Sequence, residues 1–128
     1  MNTIKWENLA AIAWEAYDKA FIIGKTKVGA ALLSKNDNIY SGCNVEHRYR
    51  NHDVHAEINA ITNMVNNGET NFIAIIIVAE RENFSPCGSC LDWIFQFGGE
   101  NCLVSWQSSI NGAIKTFRAK ELMPQYPF

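Results

Sequence analysis

Phe72-Ile-Ala-Ile-Ile-Ile-Val-Ala79 is an unbroken apolar run of strand length, rich in β-branched side chains. A strand that is half exposed alternates apolar and polar residues. One with no polar face is a strand covered on both sides. The rest of the chain must therefore supply those covers.

Residues 4 to 20 carry Leu9, Ile12, Ala13, Ala16 and Ala20 at helical spacing, which predicts an amphipathic helix. Phe21 to Lys27 reads as a loop containing Gly24. Residues 28–33 and 38–43 flank the polar Ser34-Lys-Asn-Asp37 and read as a hairpin. Val54, Ile58, Ile61 and Val65 follow a helical pattern, with Asp53 as the expected N-cap and Gly68 as the stop. After the apolar run, Ser85 is the expected cap of a third helix. Pro86 suits its first turn, and Phe97-Gly98-Gly99 is its end. Residues 102–106 and 113–117 read as two more strands, followed by a short turn at Lys120-Glu-Leu-Met. The order αββαβαββ predicts one mixed sheet with helices packed on it. At 128 residues the chain, 1–128, is expected to be one domain.

Composition narrows the function classes. Hydrophobic residues make up 48% and charged residues 19%, so a packed globule is expected. The net charge is −2, and eleven Lys and Arg are scattered, the densest cluster being Arg48-Tyr-Arg50. Without a basic stripe, nucleic acid is not the expected partner. The N-terminus has no apolar signal region, and no stretch nears the ~18 apolar residues of a membrane span. The expected setting is the cytoplasm, where thiols stay reduced. Cys43, Cys87, Cys90 and Cys102 are then not a disulfide framework, and paired cysteines lean towards metal or catalysis.

The pair is in Ser-Pro-Cys-Gly-Ser-Cys, residues 85 to 90. On a helix, Cys87 and Cys90 share one face, and a helix start favours thiolate. Alone, such a pair could hold a metal, cycle as a redox couple or fill a helix end. The second piece is Asp53-Val-His-Ala-Glu-Ile-Asn-Ala60. On an ideal helix His55 and Glu57 lie about 200° apart, so they converge only on something beyond the helix end. His55, Cys87 and Cys90 make three zinc ligands. Three protein ligands plus a water are the pattern of a catalytic zinc, whose bound water has a pKa near about 7. Glu57 then fits a carboxylate that moves protons without binding the metal.

His-x-Glu followed by Pro-Cys-x-x-Cys resembles the signature of the zinc deaminases. Residues 28 to 46, VGAALLSKNDNIYSGCNVE, are similar to the first hairpin of the small cytidine deaminases and the related blasticidin S deaminases, as are SPCGSC and the ending KELMPQYPF. The resemblance implies a three-layer α/β/α sandwich with a mixed five-stranded sheet, one Zn²⁺ per chain, and hydrolytic release of ammonia from a cytosine nucleoside or close analogue. It implies His55, Cys87 and Cys90 as zinc ligands and Glu57 as the proton shuttle. Asn44 and Glu46 would bind the sugar, and the backbone of Ala56 and Cys87 would line the base site. It also implies a homo-oligomer, a tetramer with a dimer as the alternative, in which Tyr126 and Phe128 reach a neighbour's site.

Small cytidine deaminases usually carry cysteine at the position of His55 and arginine at that of Ile58. The two changes agree, since a zinc held by two thiolates and an imidazole is neutral and needs no arginine. Thr26 stands where the family has an aromatic substrate contact, and His47-Arg-Tyr-Arg-Asn-His52 replaces a run of small residues and tyrosine. Both changes fall where base and sugar are held. A drug-inactivating deaminase of the blasticidin S type is therefore a second reading. Guanine and tRNA adenosine deaminases rank lower. From another class come a structural zinc module closed by Cys43 or Cys102 and a deaminase-like fold kept for binding alone. His47 and His52 are expected at the surface, and Cys43 and Cys102 as buried apolar fillers.

Overall fold

The computed structural model describes residues 3–127. In chain order it contains α1 (Trp6–Asp18), β1 (Gly29–Ser34), β2 (Ile39–Cys43), a 3-10 turn at Arg50–His52, α2 (Ala56–Asn66) and β3 (Phe72–Val78). α3 (Gly88–Gly98), β4 (Leu103–Gln107), β5 (Lys115–Arg118) and α4 (Ala119–Leu122) complete it. The expected order holds, with the turn near Lys120 wound into the one-turn α4.

The strands form one sheet in the order β2-β1-β3-β4-β5. β1 is antiparallel to β2 and β3, β3 is parallel to β4, and β4 is antiparallel to β5. The single parallel pair follows from the crossover through α3, because parallel neighbours cannot be joined by a tight hairpin. β3 thus lies inside the sheet, and its alternating side chains serve two cores. Ile76 and Val78 pack with Ala31 against Leu9, Ala13 and Trp14 of α1. Ile75 and Ile77 face the opposite layer, with Ala60, Ile61 and Met64 of α2 and Ile94 of α3. Ile75, Ile76 and Ile77 are fully buried, and each such side chain contributes about 1.5–3 kcal/mol of transfer free energy. This is the three-layer α/β/α sandwich on a mixed five-stranded sheet.

Two glycines set how closely the helices approach. A Cβ on Gly29 would lie 2.1 Å from the Ala13 carbonyl oxygen. One on Gly42 would lie 2.4 Å from the Ala60 nitrogen and 2.7 Å from the Ala56 oxygen. The second contact fixes the height of the first turn of α2 above β2. It also explains a difference from the sequence pattern. The buried face of α2 is Ala56, Glu57, Ala60, Ile61 and Met64, while Ile58 is half-buried and Val65 exposed. Small residues make the closest approach, and the branched ones are turned away from it.

Both helix starts lie two residues later than expected. His55, not Asp53, is the N-cap of α2, because the Asp53 carboxylate is occupied by the His47 amide (2.7 Å) and the Arg50 Nε (2.9 Å). Cys87, not Ser85, is the N-cap of α3, and Pro86 is buried ahead of the helix. Extended backbone at Cys87 (φ −72°, ψ 171°) sets the start, its carbonyl accepting the Leu91 amide at 2.9 Å. The end of α3 is as expected, with Gly99 at φ +84°. Cys102 is buried as a filler, whereas Cys43 at the end of β2 is only half-buried.

Candidate active site

The starts of α2 and α3 meet. His55 and Cys87 each hold an N-cap position, and neither side chain is used for capping. Cys90 is in the first turn of α3. His55 Nδ1 lies 3.3 Å from Cys90 Sγ and 3.5 Å from Cys87 Sγ. The three ligand atoms all fall within 4.8 Å of one another. A tetrahedral centre with bonds of about 2.0–2.3 Å separates its ligands by about 3.5 Å. The group therefore has the size of one ion's shell, and an N/S/S donor set suits zinc.

Among the described residues neither Cys43 nor Cys102 joins the group. That leaves three protein donors, the open pattern of a catalytic centre. Burial first, then the nearby Glu57 carboxylate and Cys87, push the Cys90 thiol far above its ordinary range. Burial thus opposes the thiolate form at Cys90. A dication among these donors reverses that balance, since a coordinating thiol is deprotonated outright. The donor set fits zinc on both size and charge.

Glu57, the second residue of α2, is 3% exposed. Burial pushes its carboxyl up, opposed in part by its own backbone N–H, His55 and Cys90. The convergence of His55 and Glu57, which an ideal helix forbids, is possible because His55 is in extended backbone (φ −76°, ψ 153°).

A cavity of about 370 Å³ opens over this group. Val28, Ala56, Phe84 and Cys87 line it beside Glu57, and Thr26 stands at its edge. Asn44 is buried in the wall. Its Oδ1 accepts from the Val28 amide at 2.8 Å and its Nδ2 donates to the Thr26 carbonyl at 2.9 Å. Glu46 Oε1 accepts from the Ile23 and Gly24 amides at 2.6 and 2.7 Å, and Oε2 pairs with Arg50 at 3.0 Å. Those two amides, and then Arg50, hold the Glu46 carboxyl below the usual range. Both expected sugar-binding residues thus face the cavity while fastened to their own chain.

Arg50, Asp53, Arg81 and Phe84 also line the cavity, and none of them is named as a site residue by the sequence reading. Arg50 was within reach of it, being in the altered 47–52 segment. Arg81 and Phe84 follow the carboxyl end of β3, where ligand-binding loops of such sheets gather. His47 and His52 are exposed, with ring centroids 5.0 Å apart. Tyr126 stacks on Phe95 of its own α3 at 4.1 Å and its hydroxyl donates to Asp92. Phe128 lies outside the described residues.

Residues 4–106 match the sequence model of the cytidine and deoxycytidylate deaminase zinc-binding region. The chain belongs to this deaminase family. It is similar to a cytidine deaminase of Sporosarcina psychrophila, 33% identical over 120 residues, or 92% of this chain and 88% of that one. The solved structure of cytidine deaminase from Burkholderia pseudomallei superposes with a TM-score of 0.87 at 27% identity, covering 95% of this chain and 98% of the other. The Mycobacterium tuberculosis enzyme shares the fold, with a TM-score of 0.83 at 23% identity over 96% and 97% of the two chains. As a zinc-binding deaminase the protein is a hydrolase of C–N bonds with zinc as its cofactor. No helix among the described residues is long and apolar enough to cross a membrane.

Proposed function

We propose that this deaminase hydrolyses the exocyclic amino group of a cytosine nucleoside or a close amino-pyrimidine analogue, giving the uracil form and ammonia. The observation that carries the reading is Glu57, a buried carboxyl on the floor of the cavity beside the His55, Cys87 and Cys90 donors. These three residues would hold the zinc, which when bound would supply the Lewis acidity that makes water nucleophilic at neutral pH. A Glu57 carboxylate oxygen takes a proton from the attacking water and delivers it to the departing amino nitrogen. Burial keeps bulk water from competing for that proton and strengthens each interaction with the carboxyl. Val28 and Phe84 provide apolar walls for the ring, and the backbone of Ala56 and Cys87 borders the reacting edge. Asn44 fixes the Thr26–Val28 wall, and Glu46 stands at the sugar end.

The chain works as a homo-oligomer in this proposal, a tetramer with a dimer as the alternative. Support comes from Phe21, Ile23, Val45 and Tyr49, large apolar residues 61%, 55%, 40% and 62% exposed. Phe21 and Val45 are paired through a backbone bridge, and the Ile23 amide donates to Glu46 of the cavity wall. Four unpaired cysteines suit a cytoplasmic role in pyrimidine salvage.

The test is ammonia release by the zinc-loaded protein from cytidine, deoxycytidine, cytosine and blasticidin S, with Glu57→Ala alongside. Loss of general acid–base catalysis costs about 10²–10⁴-fold, with zinc content unchanged. Full activity in Glu57→Ala, or no turnover of any of the four compounds, refutes the reading.

A further inference from the structure

Arg50 spans two carboxylates at the outer end of the cavity. Its Nε donates to Asp53 Oδ2 at 2.9 Å, and its Nη2 lies 3.0 Å from Glu46 Oε2. The Arg50 side chain is 54% exposed, so these two contacts, and not packing, decide where the guanidinium lies. Asp53 is itself fixed, its Oδ1 accepting the His47 amide at 2.7 Å. Glu46 is fixed from its other oxygen, Oε1 accepting the Ile23 and Gly24 amides. One donor group is therefore held against one acceptor group, and Glu46, Arg50 and Asp53 all line the cavity.

What these bonds leave open defines the chemistry of a ligand. An ionised carboxylate offers about four lone-pair sites. Glu46 spends two on amides and one on Arg50, which leaves one on Oε2. A guanidinium donates from all three of its nitrogens. Arg50 commits Nε and Nη2, and Nη1 has no partner among the described residues. An open acceptor thus adjoins open donors on the group that binds it. A hydroxyl matches that pair, since one oxygen both donates and accepts. Charge agrees. The lining carries the carboxylates of Glu46, Asp53 and Glu57 against the guanidiniums of Arg50 and Arg81, which suits a neutral group better than an anion.

Resting on the deaminase reading above, we propose that Arg50 is a specificity-determining residue, which together with Glu46 Oε2 takes a single hydroxyl of the substrate's sugar. The hydroxyl donates to Oε2 and accepts from a free N–H of Arg50. Both bonds are to charged groups, so each is stronger than its neutral counterpart. A substrate lacking that hydroxyl loses both at once.

The experiment measures kcat and KM of the zinc-loaded full chain for cytidine and its 2′-, 3′- and 5′-deoxy analogues. One analogue is expected to have a KM about ten- to a hundredfold above that of cytidine, the worth of hydrogen bonds to charged groups. Arg50→Gln raises the KM for cytidine about tenfold and leaves kcat near its native value, as loss of uniform binding does. The KM for the discriminated analogue stays within about twofold, because the lost contact was never made to it. Arg50→Lys restores part of the preference, since an ammonium keeps the charge but not the planar fork. Arg48→Gln, a cation of the same segment outside the cavity lining, keeps it whole. Equal losses for all three analogues, no loss for any, or a preference that survives Arg50→Gln overturns the proposal and leaves the deaminase reading standing. So does an Arg50→Gln variant with lowered Tm whose kcat falls equally for all four compounds, the mark of a merely structural role. No turnover of any of them by the wild type overturns both.

Discussion

Gly42→Ala tests whether the height of α2 above the sheet sets the catalytic geometry. The added Cβ would meet Ala60 N at 2.4 Å, Ala56 O at 2.7 Å and Asn59 Cβ at 2.7 Å. Ordinary contacts begin at 3.4 Å, so the helix must retreat by about 0.7–1.0 Å. None of these atoms is the end of a flexible side chain. Overpacking of this kind costs about 1–3 kcal/mol. For a domain of this size that lowers Tm by about 4 to 12 °C. The retreat involves the Ala56–Ala60 turn, whose first residue lies between His55 and Glu57, and a misplacement of about 1 Å costs about 10²-fold in rate. The expected result is therefore a folded variant whose kcat falls far more than its stability suggests. Gly68→Ala is the control: its backbone is left-handed (φ +90°), but a Cβ there meets nothing within 4 Å. Strain of about 1–2 kcal/mol lowers its Tm while kcat stays at the native value. Thermal unfolding of the zinc-loaded proteins and ammonia release supply the two readouts. A Gly42→Ala variant with lowered Tm and native kcat, indistinguishable from Gly68→Ala, refutes the reasoning.

Metal content separates the catalytic site from a closed structural one: His55→Ala, Cys87→Ala and Cys90→Ala each lose zinc by elemental analysis, while Cys43→Ala and Cys102→Ala keep one per chain. Asn44→Ala removes two hydrogen bonds and strands the buried Val28 amide. It lowers unfolding free energy in urea by about 1–3 kcal/mol and raises KM as the Thr26–Val28 wall loosens. The folded-state pKa of Glu46 is depressed, so its stabilisation is present above the unfolded value of about 4.3 and lost as pH falls through the lower folded value. Wild type is accordingly more stable than Glu46→Gln near neutrality, and the gap closes in denaturant titrations below about pH 4. A gap that widens on acidification contradicts the assignment.

What the sequence could disclose depended on the distance over which each feature is decided. The buried strand was readable because Phe72–Ala79 states its own environment: no residue in it tolerates water on either face. The zinc donors were readable because each belongs to a short motif beside a helix start, and chemistry restricts which residue types can serve. The helix starts themselves were misplaced by two residues. Asp53 has the composition of a cap, yet a guanidinium and an amide from the preceding loop claim its carboxylate. Val65 fits the helical period, yet Gly42 on a distant strand selects the alanine face instead.

The same logic applies at the outer end of the cavity. Asn44 and Glu46 line it, but their hydrogen bonds go to Ile23, Gly24, Thr26 and Val28, sixteen or more residues away. Residue type reports what a side chain is able to bind, and only the folded loops determine what remains unbound. Reaction chemistry is thus carried by motifs that survive on almost any loop. Substrate choice is carried by the donors and acceptors that those loops leave open, and in this chain Glu46 is already shared between two amides and Arg50.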